Sequence, residues 1–448
     1  MNRLTFSSPY PKQKDFLLSR ARYIAYGGAR GGGKSYVARM KAELLCLRYD
    51  GIQVLFMRRT YPELKENHLL PAMRELNGVA KYNGTDKAFI FPNGARLKFG
   101  YCRHDSDLLQ YQGQAYDVIF LEECTQFPEN VFTTMTESNR SSGLMTEHFP
   151  PRMYFTCNPG GVGHAWFKRL FIDREYKKTE KPEHYVFIQA NVYDNKALMH
   201  NSPDYVNALE NLPEDRKRAM LYGDWDVFEG QYFPEFRRET HVCEAFPIPD
   251  HWTRYKALDY GFDMLAVGWF AVDEIGTAYL YKEFCEGKDL GEGHDGLILS
   301  DAANAILERS DELERDAITF APPDLWNRRQ DTGRSAADRF AECGVFMEKA
   351  KNDRVLGWLD LKEYLKVRKD TGKPSLMICS NCTQTIKSLP MLLHDEKHPD
   401  DVANDPHEFT HPVDMLRYFV AGRPIAASEP KEFNELTTEE EMGNVFGY

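Results

Sequence analysis

The stretch Ala25-Tyr26-Gly27-Gly28-Ala29-Arg30-Gly31-Gly32-Gly33-Lys34-Ser35 constrains the fold more than any other part of the chain. From Gly28 it fits G-x-x-x-x-G-K-[ST]. Before it, Tyr23-Ile24-Ala25-Tyr26 reads as a short buried strand. After it, Val37, Met40, Leu44, Leu45 and Leu47 fall at helical spacing between Ser35 and Arg48. Strand, glycine loop and helix form the context in which backbone N–H groups converge on a phosphate at a helix N-terminus. Gly28, Gly31 and Gly33 permit a backbone approach that a Cβ would block. In this reading Lys34 reaches the β- and γ-phosphates of ATP and Ser35 ligates its Mg²⁺. A glycine-rich turn without a ligand has the same composition, and the flanks are what favour the phosphate loop.

The following segments repeat one pattern, an apolar strand with polar chemistry at its C-terminal end. Tyr116-Asp117-Val118-Ile119-Phe120-Leu121 runs into Glu122-Glu123, and Arg152-Met153-Tyr154-Phe155 runs into Thr156-Cys157-Asn158-Pro159. Open α/β sheets present ligand-binding residues at that edge. Glu122 is expected to hold the magnesium, directly or through water, and Glu123 to orient and deprotonate an attacking water. The first acid is more commonly Asp, and the extra methylene of Glu122 favours a water-mediated contact. Asn158 and Thr156 are placed to sense a γ-phosphate. Gln13, in a helix opening at Pro9–Phe16, offers an amide to an adenine edge. Two arginines compete to stabilise γ-phosphate charge: Arg30 in cis from the loop itself, or Arg140, in the polar segment Thr136–Arg140, in trans from a neighbouring subunit. Val54–Met57 is a further strand, and Pro92-Asn93-Gly94 turns a hairpin between Phe89–Phe91 and Arg96–Phe99.

Beyond Asp226 the text changes to aromatics alternating with turn formers, a packed connector. The C-terminal part then reads as three antiparallel strands starting at Tyr255, Leu265 and Ala278, followed by αβ units. Asp259 ends the first strand, Asp324 follows a fourth strand at Ala317–Ala321, and Asp414 lies in the first turn of a last helix over Pro412–Val420. This is the ribonuclease H-like arrangement. Oxygen-only ligands favour Mg²⁺ or Mn²⁺ over zinc. Three such carboxylates would hold two ions about 3.5–4 Å apart for in-line hydrolysis of a phosphodiester. Any single Asp also suits a turn or cap, Asp414 near a helix start in particular. Asp263 and Asp405 are candidate accessories, and His411 a residue to position water or phosphate.

The ordered set Gly28–Ser35, Tyr116–Glu123, Thr156–Gly161 and Leu221-Tyr222-Gly223-Asp224-Trp225 resembles the large terminase subunit of tailed bacteriophages, over roughly residues 5–425. The resemblance implies that Gln13 is the adenine-reading glutamine, that Thr156–Pro159 couples hydrolysis to DNA movement, and that Asp259, Asp324 and Asp414 are the nuclease residues. It implies an ATP-driven translocase of double-stranded DNA that also cuts concatemers, with a portal or procapsid and a small terminase subunit as partners. A homo-oligomeric ring during packaging and a monomer in solution are expected. The fold class is α/β: a P-loop ATPase domain with an open, mostly parallel sheet over 1–225, a connector over 226–251, a ribonuclease H-like nuclease domain over 252–425 and an acidic tail over 426–448. The competing readings are a helicase-nuclease or repair ATPase without a capsid, and a structural assembly protein with decayed motifs.

Composition sets limits on these readings. At 448 residues, 42% hydrophobic and 28% charged, the chain has the make-up of a globular protein of two or three domains. No apolar run of 18 residues and no basic-then-apolar leader at Met1–Tyr10 is found, so a membrane partner is not expected, and the host-cell cytoplasm is. The nine cysteines follow no extracellular framework spacing, and Cys379-Ser380-Asn381-Cys382 lacks the second pair of a zinc site. A net charge of −12 seems to oppose nucleic acid, but local distribution outweighs the sum. Arg58-Arg59, Lys168-Arg169, Arg237-Arg238 and Arg328-Arg329 remain available for phosphates, although each pair alone reads as solvated surface.

Overall fold

Long apolar strands that bury both faces require helices above and below them, and this requirement organises the N-terminal unit. The computed structural model describes residues 6–427 except 146–148, 227, 229, 262, 291–295, 329–332, 352, 396, 405–406 and 423. Asp405 and the acidic tail from 428 therefore lie outside the described residues. The chain divides between Pro234 and Glu235, within the connector read at 226–251. Pro390–Pro406 returns to the first unit.

The first unit carries an eight-stranded sheet: β1 (Tyr23–Gly28), β2 (Gln53–Arg58), β3 (Lys81–Asn83), β4 (Ala88–Ile90), β5 (Arg96–Tyr101), β6 (Val118–Leu121), β7 (Arg152–Cys157) and β8 (Tyr185–Ala190), in the order β3-β4-β5-β2-β6-β7-β1-β8. β5 through β8 in this order run parallel, and β3 and β4 add an antiparallel edge. The expected hairpin turn is present, with the Phe91 N–H donating to Ala95 O at 2.9 Å and Gly94 at φ +78°. One face of the sheet is keyed by a row of rings in register. Phe99, Phe56, Phe120 and Tyr154 follow one another at centroid distances of 5.8, 5.3 and 4.8 Å. Phe16 from helix α1 (Pro11–Leu18) closes the row on Tyr154 at 5.3 Å.

Helix α2 (Lys34–Arg48) leaves the glycine loop and packs Val37, Met40 and Leu45 into the core; Leu44 and Leu47 are exposed. Asn93 Nδ2 donates to the Cys46 carbonyl at 2.9 Å, satisfying a group in the last turn that helix geometry leaves open.

The second unit has the order β14-β13-β10-β11-β12-β15-β9, formed by β9 (Val242–Cys243), β10 (Thr253–Tyr260), β11 (Met264–Val272), β12 (Ala278–Gly287), β13 (Ile318–Ala321), β14 (Glu348–Lys349) and β15 (Leu376–Cys379). The antiparallel β10-β11-β12 meander, with β13 parallel to β10 and β14 parallel to β13, is the ribonuclease H-like core, extended past β12 by β15 and β9. β11 is buried throughout, and its alternation assigns the two faces. Leu265, Val267 and Trp269 cluster with Ala302, Ala303 and Ile306 of the helix Leu299–Glu308. Phe270, on the other face, stacks on Phe419 of the helix Thr410–Ala421 with centroids 3.8 Å apart. Cys243 and Cys379, paired in β9 and β15, bring their sulfurs to 3.9 Å.

Gly51, between α2 and β2, has φ +76°, and a Cβ there would lie 2.1 Å from Leu144 O. Gly113 has φ +74° with nothing within 4 Å of a Cβ. Gly113→Ala should therefore lose only the left-handed backbone term of about 1–2 kcal/mol. Gly51→Ala should lower the urea midpoint further, and equal midpoints would show that the loop at Leu144 yields freely.

Candidate functional site

The C-terminal ends of β1, β7, β6 and β2 converge on the glycine loop. β1 pairs with β7 to the last residue, Gly27 opposite Cys157, and a Cβ on Gly27 would lie 2.3 Å from Cys157 O. Only glycine allows the loop to leave the sheet there. Gly28, Gly31 and Gly33 hold φ of +100°, +81° and +75°. The loop is tethered through its backbone: the Arg30 N–H donates to Met220 O at 2.8 Å, Asn195 Nδ2 donates to Gly31 O at 2.8 Å and the Tyr26 hydroxyl donates to Gly32 O at 3.0 Å. No side chain caps the start of α2. An anion is the remaining acceptor for such N–H groups.

Lys34 donates its ammonium to Ala29 O at 2.8 Å and to Asn158 Oδ1 at 2.7 Å. The Asn158 amide nitrogen donates to both Glu123 oxygens, at 3.2 and 3.0 Å. Asn158 thus links the lysine to the second acid. The Glu123 N–H donates to Thr156 Oγ1 at 2.8 Å, and its backbone is left-handed at φ 53°. For a non-glycine residue this is strain of the kind kept at functional centres. Burial, partly offset by Lys34 and reinforced by Glu122, raises the Glu123 carboxyl above its ordinary value. This is the direction that suits a general base.

Glu122 is fully buried; its Oε1 accepts from the Ser35 hydroxyl at 2.5 Å and lies 3.3 Å from His68 Nε2, and its Oε2 accepts from Arg58 Nη1. Burial alone would raise this carboxyl. Its contacts with His68, Arg58 and Ser35 outweigh that and hold it below the usual carboxylate range. Burial lowers the His68 imidazole, which favours its neutral form. A hydroxyl and a carboxylate meeting at one point are hard oxygen donors of the type Mg²⁺ takes, so Ser35 and Glu122 fit that ion.

The remaining expected residues divide. Gln13 is buried beneath the loop, its Oε1 accepting the Tyr10 N–H at 3.1 Å and its Nε2 lying 2.7 Å from where a Gly33 Cβ would stand. Arg30 is exposed on the loop. Arg140 is elsewhere: Thr136–Ser138, read as loop, ends the helix Glu129–Ser138, and Arg140 donates to Glu137 O and Gly113 O. Its neighbour Asn139 donates to Tyr116 O and Asp117 O at the start of β6. The strand rise puts this roughly 16 Å from Glu122. Within one chain Arg140 does not serve this centre.

In the second unit, Asp259 ends β10 and accepts from His411 Nδ1 at 2.5 Å. Asp324 follows β13, the parallel neighbour of β10. Asp414 is not in a first turn, because its helix begins at Thr410; this removes the cap reading. It accepts from Arg417 Nε at 2.7 Å and Nη2 at 2.6 Å. All three carboxylates act on the Tyr418 hydroxyl, which burial and then their charge push up. Among the described residues, however, no group of three or more His, Cys, Asp or Glu is gathered to hold a metal. The donors suit a hard divalent cation in type, while His411 and Arg417 occupy two of them. Gly261 lets His411 approach, since a Cβ there would lie 2.6 Å from His411 Cε1.

Arg58, His68 and Arg417 are the functional candidates that sequence reasoning did not single out. Arg58 was visible only as half of a basic pair, and its position at a strand's C-terminal end was the unused signal. Of the other pairs, Lys168 and Arg169 are committed to Asp173, Asp226, Glu129 and Glu180 and are not free for phosphates.

Residues 25–240 match the family described as terminase large subunit, T4likevirus-type, N-terminal. Among solved structures, the chain is similar to the large terminase of a thermophilic bacteriophage in complex with ADP, at 19% identity and TM-score 0.42, covering 92% of this chain and 98% of that one. It is also similar to the large terminase of bacteriophage HK97, at 12% identity and TM-score 0.47, over 93% and 95% of the two chains. The P22 large terminase nuclease domain is similar at 18% identity and TM-score 0.35, over 44% and 95%. No curated protein matches the chain.

Burial, offset by Arg417 and reinforced by Asp259, raises Asp414 to about 6. With a folded value above the unfolded one, its protonation stabilises the fold at low pH, and this contribution is lost as pH rises through about 6. In metal-free buffer, the melting temperature of Asp414→Asn relative to wild type should rise between pH 4 and pH 7. A constant difference across that range would show that Asp414 does not titrate there.

Proposed function

We propose, from the match of residues 25–240 to the terminase large subunit family, that this chain is the motor and nuclease of a viral DNA-packaging machine. ATP hydrolysis in the first unit would drive double-stranded DNA into a procapsid, and the second unit would cut the concatemer. The observation that carries the reading is the link from Lys34 through Asn158 to Glu123.

That link suggests how hydrolysis is coupled. Lys34 rests on Asn158 and Ala29 O. Recruitment of its ammonium to the β- and γ-phosphates would free Asn158 Oδ1, so that the amide holding Glu123 reorients when a γ-phosphate is present. Glu123 would then take a proton from the water that attacks the γ-phosphorus. Ser35 and Glu122 are the groups that would hold Mg²⁺, which supplies charge neutralisation at the phosphates. Gln13 would read adenine after leaving Tyr10. Arg30 is placed to act in cis, and Arg140 only from a neighbouring subunit in a ring. In the second unit, Asp259, Asp324 and Asp414 would hold Mg²⁺ or Mn²⁺, which activates water for phosphodiester hydrolysis. His411 would orient Asp259, and Arg417 would orient Asp414. A portal or procapsid and a small terminase subunit complete the proposed assembly, built on a protein that is monomeric before packaging. DNA would be held mainly through backbone phosphates, so binding should weaken steeply with salt.

DNA-stimulated ATPase measured with and without procapsids decides between a packaging motor and a helicase-nuclease, since only the former is stimulated by procapsids without unwinding duplexes. Lys34→Ala and Glu123→Gln should each abolish turnover, and unchanged trace activity would leave a structural role. Asp259→Ala should abolish Mn²⁺-dependent plasmid cleavage with ATPase intact; loss of both in a folded protein would sink the two-site assignment. For the arginines, mixing Arg140→Ala with Lys34→Ala subunits should restore turnover if Arg140 acts in trans. Absence of rescue assigns the role to Arg30.

A further inference from the structure

Arg58 stands out because it meets the acid that the phosphate loop also uses. It is the last residue of β2, and the pairing of β2 with β6 aligns Met57 with Leu121, so the two chain ends leave the sheet side by side. Its side chain is 12% exposed and that of Glu122 is not exposed at all. Arg58 Nη1 donates to Glu122 Oε2, while the other oxygen accepts from Ser35 at 2.5 Å. The guanidinium and the hydroxyl thus share one carboxylate, one on each oxygen. Arg58 has a second anchor: its Nε donates to Glu63 Oε2 at 3.4 Å, and Glu63, fixed by Thr60 Oγ1 at 2.8 Å, is 43% exposed.

We propose that Arg58 is a positioning residue of the ATPase centre, holding Glu122 at Ser35 and competing with the magnesium ion for that carboxylate. The inference rests on the ATPase reading above. Its physical basis is that a carboxylate withdrawn from water needs a cation, and leaving one unpaired is strongly unfavourable. The guanidinium of Arg58 supplies that cation. If Ser35 and Glu122 held Mg²⁺, Glu122 would face two further positive charges, and the attachment of Arg58 to it would weaken. Glu63 offers the guanidinium a nearby carboxylate that Ser35 does not share. The two oxygens of the Glu122 carboxylate reach Ser35 and Arg58 at once.

The test uses the full chain and two readouts: steady-state ATPase, and binding of a fluorescent ATP analogue as Mg²⁺ is titrated. Arg58→Met removes the charge but keeps the length. It should lower kcat about 10–100-fold, as loss of an outer-shell partner does. At the same time, it should lower the half-saturating Mg²⁺ severalfold, because a competing cation is gone. Arg58→Lys should recover part of kcat and the wild-type Mg²⁺ dependence. Glu63→Gln, on the surface, should raise the half-saturating Mg²⁺ by giving Arg58 wholly to Glu122. A folded Arg58→Met with unchanged kcat and unchanged Mg²⁺ dependence overturns the proposal. If Arg58→Met does not fold, Glu63→Gln decides, and no upward shift overturns it. Failure of the wild type to bind or hydrolyse ATP would instead overturn the ATPase reading itself.

Discussion

The site around the glycine loop depends on the parallel pairing of β1 with β7, which continues until Gly27 stands opposite Cys157. That register places the loop that receives phosphates beside the segment that carries Asn158, with no side chain between them. Had β1 borne any Cβ at its last position but one, the Cys157 carbonyl would have pushed the strands apart. Lys34 and Asn158 would then not meet. The aromatic row from Phe99 to Tyr154 fixes the same register on the core side, so packing and chemistry share one alignment.

Much of this was legible in the sequence, and the reasons are local. A glycine loop between a strand and a helix carries its own geometry, because each glycine answers a backbone requirement. Strands ending in Glu122-Glu123 and in Thr156–Asn158 announce which sheet edge holds the site. The positions of Asp259 near the end of β10 and Asp324 after β13 were legible in the same way.

The remainder depended on what distant residues do to one another. Arg58 and His68 reach Glu122 from β2 and from the turn Lys65–Leu69, and no spacing in the chain encodes that meeting. Arg140 reads as polar loop because Thr136–Ser138 lack apolar periodicity. Its helix nevertheless extends through Ser138, and Asn139 anchors the segment at the wrong end of β6 for a cis role. Asp414 seemed to start a helix because Pro412 reads as a first-turn residue; Thr410 and His411 extend the helix backwards. The carboxylates Asp259, Asp324 and Asp414 show a limit of a different kind. Sequence order gives their neighbourhood but not the Arg417 and His411 contacts that hold two of them.

The return of Pro390–Pro406 to the first unit bears on how the molecule is made. The Tyr232 N–H donates to Leu392 O at 2.7 Å, and Gln231 forms a bridge with Leu393. Those carbonyls lie more than 150 positions further along the chain, since 392 minus 232 is 160. During synthesis the first unit emerges first, yet Gln231 and Tyr232 meet these partners only after the intervening sequence of the second unit has been made. Closure of the first unit at Tyr232 is therefore tied to synthesis of the chain through Leu392, and a chain released before that point would carry the glycine loop without this pairing.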